Sequence, residues 1–179
     1  MYTWLMAAST LLPLEDYLST SYEPDREYVD GELVERFVGE FDHSRLQMMI
    51  SAYFYSKEAE LNIMSFPEQR VRVLNSDHGK RYRIPDVCVV RLPYAKEPVL
   101  TQPPYLVVEI LSPDDRASDT LQKASEYARF GIPHIWIIDP REKKLFQADS
   151  RGVHELDDLI GTLPEIGLCV DFNQFLAKL

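Results

Sequence analysis

The chain has 179 residues, 45% of them hydrophobic and 27% charged, with 19 Lys and Arg against 29 Asp and Glu for a formal net charge of -10. This length and composition describe one folded domain with enough chain to bury a core, and they exclude a disordered polymer. The acidic balance excludes a protein that coats nucleic acid non-specifically through Lys and Arg, but not an enzyme whose cleft carries a field of its own.

No apolar run approaches a membrane span, and the first residues lack the basic stretch of a signal peptide. Residues 1–13 read as a poorly ordered N-terminal extension and 14–179 as a single domain. Residues 14–18 then suit one or two helical turns, with Pro13 at an early position that tolerates it. Residues 27–35 predict a β-hairpin around Asp30-Gly31, a strong two-residue turn signal. Asp42 is placed to cap a helix from His43 to about Glu60, in which Leu46, Met49, Ile50, Tyr53 and Phe54 recur at helical spacing. Pro67 breaks the chain.

Residues 69–74 alternate Arg and Val, as a half-exposed strand should, and 75–79 form a turn. Residues 81–91 predict the next strand, with an edge or bulge at Pro85. A Pro-rich loop leads to a strand over 105–111. A turn at 112–115 follows, with Asp115 or Ser118 capping a helix that stops at Phe130-Gly131. An apolar strand over 134–139, strands over 143–148 and near Val153, and a short helix within 172–179 complete the chain. Strand, helix and strand across 105–139 make a crossover unit with parallel strands, whereas the earlier strands suit an antiparallel meander. The predicted fold class is α/β (α+β), a mixed β-sheet flanked by helices.

Cys88 and Cys169 lie in apolar, strand-like segments without ligand spacing. They read as buried free thiols in a reducing, cytoplasmic setting. Against the acidic average, residues 70–83 hold five basic residues and one acid, Asp77. Arg70, Arg72, Arg81 and Arg83 are the candidate phosphate contacts, or else the solvated faces of a hairpin.

Two acids carry the chemistry. Asp86 follows Pro85 at the end of the basic stretch, and Glu109 interrupts the apolar strand over 105–111. A carboxylate inside a buried strand costs several kcal/mol unless it is paired or bound to a cation. If the two strands are neighbours, Asp86 and Glu109 converge, and the Ile110 carbonyl beside Glu109 completes a donor set for Mg²⁺, or for Mn²⁺ in its place. Lys123 stands one helical turn after Asp119 and one before Tyr127. It is either the surface partner of Asp119 or, if that face looks at the sheet, a group that orients or deprotonates the attacking water or stabilises the phosphorane charge. His43, at a helix start, could contact phosphate or hold a water, and Glu32 could be an outer metal ligand. No Gly-rich phosphate loop, serine-hydrolase elbow or His-Glu-x-x-His motif is present.

The ordered set of residues 14–18, 27–32, His43, 84–87, 106–113, Asp119, Lys123, Tyr127 and 135–140 resembles the Uma-two family of restriction-endonuclease-like proteins, in the PD-(D/E)xK nuclease superfamily. The resemblance implies a restriction-endonuclease-like fold, a DNA substrate and a homodimer. It makes Asp86 the motif aspartate and Glu109 the second acid. The usual lysine two residues after that acid is Leu111 here, and the resemblance implies that Lys123 supplies the cation from the following helix. The leading expectation is therefore a Mg²⁺-dependent endonuclease that hydrolyses DNA phosphodiesters, with Asp86, Glu109 and Lys123 as its catalytic residues. The rival readings are a non-catalytic nucleic-acid- or protein-binding module that keeps the nuclease fold, and a hydrolase of another phosphate ester.

Overall fold

The structure, a computed structural model, describes residues 11–36, 40–76, 79–113 and 115–179. Residues 1–10 of the expected extension, residues 77 and 78 of the expected turn, and Asp114 lie outside these. Leu12 is tied to the domain: its N–H donates to the Gly31 carbonyl at 2.8 Å, and its carbonyl accepts the Tyr28 hydroxyl at 3.0 Å. Helix α1 (Leu14–Ser19) leads to the hairpin of β1 (Arg26–Val29) and β2 (Glu32–Glu35). Asp30 and Gly31 make its turn at φ 51° and 99°, the left-handed pair that a two-residue hairpin turn demands.

Helix α2 (Phe41–Leu61) buries Leu46, Ile50 and Phe54, one residue per turn along one stripe. It starts before the expected position. Glu40 is the N-cap and makes no side-chain cap bond, so Asp42 lies in the first turn instead of capping it. There its negative charge still suits the positive end of the helix. Strand β3 (Ile63–Pro67) follows, where the sequence pattern marks only a break. It is an edge strand, the position in which proline costs no ladder bond.

Strands β4 (Val71–Ser76) and β5 (Gly79–Arg83) join the hairpin in an antiparallel sheet of order β2-β1-β5-β4. The single strand expected over 81–91 is two strands in two sheets. The chain leaves the first sheet after Arg83, passes through Ile84, Pro85 and Asp86, and enters the second as β6 (Val87–Arg91). Pro85 cannot donate to a ladder, which makes it a natural point of transfer.

The second sheet has the order β10-β9-β8-β7-β6-β3. Strand β7 (Leu106–Ile110) and β8 (His134–Asp139) are parallel and are joined by α3 (Ala117–Phe130); the other neighbours are antiparallel. Helix α3 takes Arg116 as its N-cap without a side-chain bond. Asp115 instead accepts the Ser112 N–H at 2.7 Å and closes the preceding turn. Gly131 ends the helix at φ 95°. Strands β9 (Lys144–Asp149) and β10 (Gly152–Glu155) complete the sheet, and β11 (Ile160–Leu163), β12 (Leu168–Asp171) and the short α4 (Asn173–Leu176) cover one face.

Alternation along β7 and β8 sends side chains to opposite layers. Leu106, Val108, Trp136 and Ile138 pack toward α2 and α4, whereas Val107, Ile135 and Ile137 pack with Ala124 and Tyr127 of α3. Gly161 lets β11 lie against Trp136: a Cβ there would come within 2.6 Å of the indole ring. Cys88 is buried, and burial pushes its thiol up to about 12. Cys169 is exposed, contrary to its apolar setting in the sequence, because β12 belongs to the small outer sheet. Among the described residues no helix is long and apolar enough to cross a membrane.

Candidate active site

Asp86 stands at the transfer between the sheets, and its carboxylate takes the place of a missing strand. Strand β6 begins at Val87 opposite Val108, so Ile110 projects past the end of the β6 ladder. The Ile110 N–H donates to Asp86 Oδ2 at 2.7 Å. In a strand the carbonyl leaves on the same edge as the N–H, so the Ile110 oxygen belongs to this side as well. Arg36 Nη2 donates to Asp86 Oδ1 at 2.9 Å, and His43 Nε2 is 3.3 Å from Oδ2. Gln47 Nε2 and the Glu68 N–H hold the Asp86 backbone carbonyl at 3.1 and 3.2 Å. Burial pushes the Asp86 pKa up, but His43, Arg36 and the Ile110 N–H outweigh it and hold the acid below the ordinary carboxylate range. Burial pulls His43 down, and the contact with Asp86 reverses this, so the imidazole titrates above its usual value.

Glu109 shares the parity of Val107 and therefore faces α3. The Tyr127 hydroxyl donates to its Oε1 at 2.5 Å, and Lys123 Nζ lies 3.7 Å from its Oε2. Lys123 is closer to a third acid, Glu27 Oε1, at 3.1 Å. Glu27 is 1% exposed because β1 is an inner strand of its sheet. It also accepts the Ile84 N–H at 3.1 Å and Arg83 Nη1 at 2.8 Å. Arg83 turns its other edge to Glu126, with Nε and Nη2 donating at 2.7 and 3.1 Å, and Arg81 bridges Glu126 to Asp30.

Burial raises Glu109 to about 7, with Lys123 opposing the shift and the charges of Asp86 and Glu27 adding to it. Glu27 is buried too, but Lys123, Arg83 and the Ile84 N–H hold it below its ordinary value. Burial disfavours the Lys123 charge, yet Glu109 and Glu27 outweigh it and raise its pKa, so the amine is an ammonium at neutral pH.

The expected residues thus converge in part. Glu27, Arg36, His43, Asp86, Glu109 and Lys123 line a cavity of about 350 Å³. Lys123 is turned toward the sheet, and Asp119, though it lines the cavity, is not its ion-pair partner. Glu32 is exposed on β2 and lies away from the cavity lining. The four arginines do not form a common row of free cations. Arg70 lies over the Tyr17 ring at 4.4 Å and 3.5 Å from Asp25, and Arg72 is half-buried in β4. Arg81 and Arg83 belong to the internal ion-pair chain, and Arg83 is buried with its guanidinium committed to Glu27 and Glu126. Glu27, Arg36, Gln47 and Glu68 escape the sequence reading. Only Glu27 has a local signal, a charge within a β-prone run.

Among the described residues no three His, Cys, Asp or Glu side chains form a metal-holding group. Asp86 and Glu109 nonetheless oppose each other's charge in a buried place. Two such carboxylates beside a free-edge carbonyl fit a hard divalent cation, which would relieve their repulsion and complete its shell with water and phosphate.

The family model Uma2, described as a putative restriction endonuclease, matches residues 14–154. The structure is similar to that of a putative nuclease belonging to DUF820 from Anabaena variabilis ATCC 29413, with a TM-score of 0.75 and 21% identity over 92% of this chain and 97% of that one. At that identity the likeness establishes the nuclease-like fold. None of the curated proteins matches the chain.

Proposed function

The chain belongs to the Uma2 family of putative restriction endonucleases, and from that premise we propose that it is a metal-dependent endonuclease that hydrolyses phosphodiester bonds of DNA. The observation that carries this reading is Lys123. Position 111 is Leu, and a lysine from α3 reaches within 3.7 Å of Glu109 in β7. The cation missing from the strand is supplied by the helix that packs on it.

Asp86, Glu109 and the Ile110 carbonyl would hold Mg²⁺ or Mn²⁺. Such an ion, when bound, polarises a phosphoryl oxygen and lowers the pKa of a coordinated water. Lys123, charged at neutral pH, donates hydrogen bonds to orient the attacking water and offsets charge building on the phosphorane; it does not take the water's proton. Tyr127 fixes the Glu109 carboxylate, and His43 with the Ile110 N–H fixes that of Asp86. The same reading takes residues 14–179 as one catalytic domain that works as a homodimer in the cytoplasm.

The test is nicking of supercoiled plasmid in Mg²⁺ or Mn²⁺, with Mn²⁺ binding followed by calorimetry. Wild type cleaves, EDTA stops it, and Asp86→Ala, Glu109→Ala and Lys123→Ala do not cleave while keeping native circular dichroism. Mn²⁺ binding is lost in Glu109→Ala. Cleavage by a purified, folded Asp86→Ala/Glu109→Ala double variant would falsify the assignment.

A further inference from the structure

Arg36 stands on the oxygen that a metal would claim. Asp86 Oδ2 is already engaged by the Ile110 N–H at 2.7 Å and faces His43 Nε2 at 3.3 Å, which leaves Oδ1 as the metal-facing atom. Arg36 Nη2 occupies Oδ1 at 2.9 Å, and Nη1 rests on Glu68 Oε1 at 3.2 Å. The two anchors differ in kind. The Asp86 side chain is 5% exposed and held on all sides, whereas that of Glu68 is 51% exposed at the rim. Arg36 itself follows β2, the edge strand of its sheet, and reaches into the cavity from outside.

A divalent ion ligates a carboxylate at roughly 2.0–2.1 Å for Mg²⁺, and a guanidinium hydrogen-bonded to the same oxygen would repel it. One of the two cations must yield, and Arg36 is the one on a long, flexible stem. The guanidinium is planar and always charged, and it presents donors in a fork that matches phosphate. Of the basic residues lining the cavity, Arg83 is committed to two buried acids and Lys123 is shared between Glu27 and Glu109.

We propose that Arg36 is a substrate-phosphate residue parked on Asp86: metal entry displaces its guanidinium from Oδ1, and the freed fork grips a backbone phosphate of the nucleic acid. The inference rests on the nuclease reading above. It makes Arg36 a competitor of the metal in the free protein and a ligand of the substrate in the loaded one. Metal and nucleic acid therefore strengthen each other's binding, since each removes the group that opposes the other.

The test uses the full chain without nucleic acid first. Mn²⁺ is titrated calorimetrically into wild type, Arg36→Gln, Glu68→Gln and Glu109→Ala. Arg36→Gln binds Mn²⁺ about tenfold more tightly than wild type, a coupling of ordinary size. Glu68→Gln, a change at an exposed side chain that leaves the fold intact, shifts affinity the same way by a smaller factor. A short DNA duplex titrated in Ca²⁺ then binds Arg36→Gln several-fold more weakly, and the slope of log affinity against log salt falls by about 1. Mn²⁺ binding confined to Arg36→Gln is the same support at its limit. Equal or weaker Mn²⁺ affinity in Arg36→Gln, with wild-type binding still abolished in Glu109→Ala, overturns the inference and leaves the carboxylate site standing. An unchanged salt slope overturns the phosphate role. No Mn²⁺ binding in wild type or in either glutamine variant overturns the carboxylate site and this inference together.

Discussion

Lys123 of α3 lies 3.1 Å from Glu27 of β1, closer than its 3.7 Å approach to Glu109 of β7. One ammonium thus serves two buried acids, and it serves them unequally. Glu27 also has Arg83 and a backbone N–H and is held below its ordinary pKa; Glu109 is left to burial and to the charge of Asp86, and rises to about 7. The division gives the site one acid that is charged at neutral pH and one that titrates near neutrality.

Glu27→Gln redirects the ammonium. With the charge of Glu27 gone, Lys123 loses its closer anionic partner and Glu109 loses a repelling neighbour, so the Glu109 pKa drops below 7 in the metal-free protein. Carboxyl carbon NMR across pH 4–9 reads this shift directly, and the acidic limb of the pH–rate profile moves the same way. An unmoved Glu109 titration would show that Glu27 has no hold on it.

Stability responds to pH through the same acids, with opposite signs. The folded-state pKa of Glu109 is about 7 and its ordinary value 4.5, so between these limits the folded state binds more protons than the unfolded one. Its contribution to stability therefore falls as pH rises through that window, by about 3 kcal/mol in total. Asp86, Glu27 and Glu126 have lowered pKa values. Their stabilisation is present above the ordinary carboxylate range and is lost as the solution is acidified. Glu109→Gln removes the first effect and leaves the three lowered carboxylates in place. Thermal melts in EDTA should show the variant gaining on wild type between pH 5 and pH 8, by roughly 5 °C in Tm.

Arg83→Met takes one of two cationic partners from each of two buried carboxylates. Arg83 is 5% exposed and holds Glu27 and Glu126, at 1% and 3%. Removing one member of a buried ion pair costs about 3–5 kcal/mol when it leaves a charge uncompensated; here Lys123 stays on Glu27 and Arg81 on Glu126, so the cost is about 3 kcal/mol, the low end of that range. Urea denaturation at pH 7.5 measures the loss. Arg81→Met costs less, since one of its two partners, Asp30, is itself partly exposed.

Gly161→Ala tests the packing of β11 over the second sheet. The added methyl would meet the Trp136 indole at 2.6 Å at a buried position. Overpacking of this kind costs about 1–3 kcal/mol. The change leaves the carboxylate site untouched, so a urea midpoint shift without loss of Mn²⁺ binding is the expected pair of results.

Much of this arrangement is legible along the chain because its causes are local. An acid inside an apolar run, Glu109, announces a buried charge; Pro85-Asp86 announces the end of a ladder; the strand–helix–strand period across 105–139 dictates a parallel pair; Asp30-Gly31 dictates a two-residue turn. What the chain order hides is which charge meets which. Arg36 and Asp86 are 50 residues apart in sequence and Arg83 and Glu27 are 56. Alternation places a side chain on a face, but whether that face meets water or another sheet depends on how the two sheets join. Arg83 reads as a surface cation from its neighbours and is a buried counter-ion in the fold. The sequence by itself determined the fold class and set the two acids, Asp86 and Glu109, beside and within apolar strand segments; the part of Lys123 came only from the family resemblance. The tertiary structure alone decided that Lys123 is shared with Glu27 and that Arg36 rests on Asp86, because ion pairing depends on distance and burial, and both are set only when the sheets close on each other.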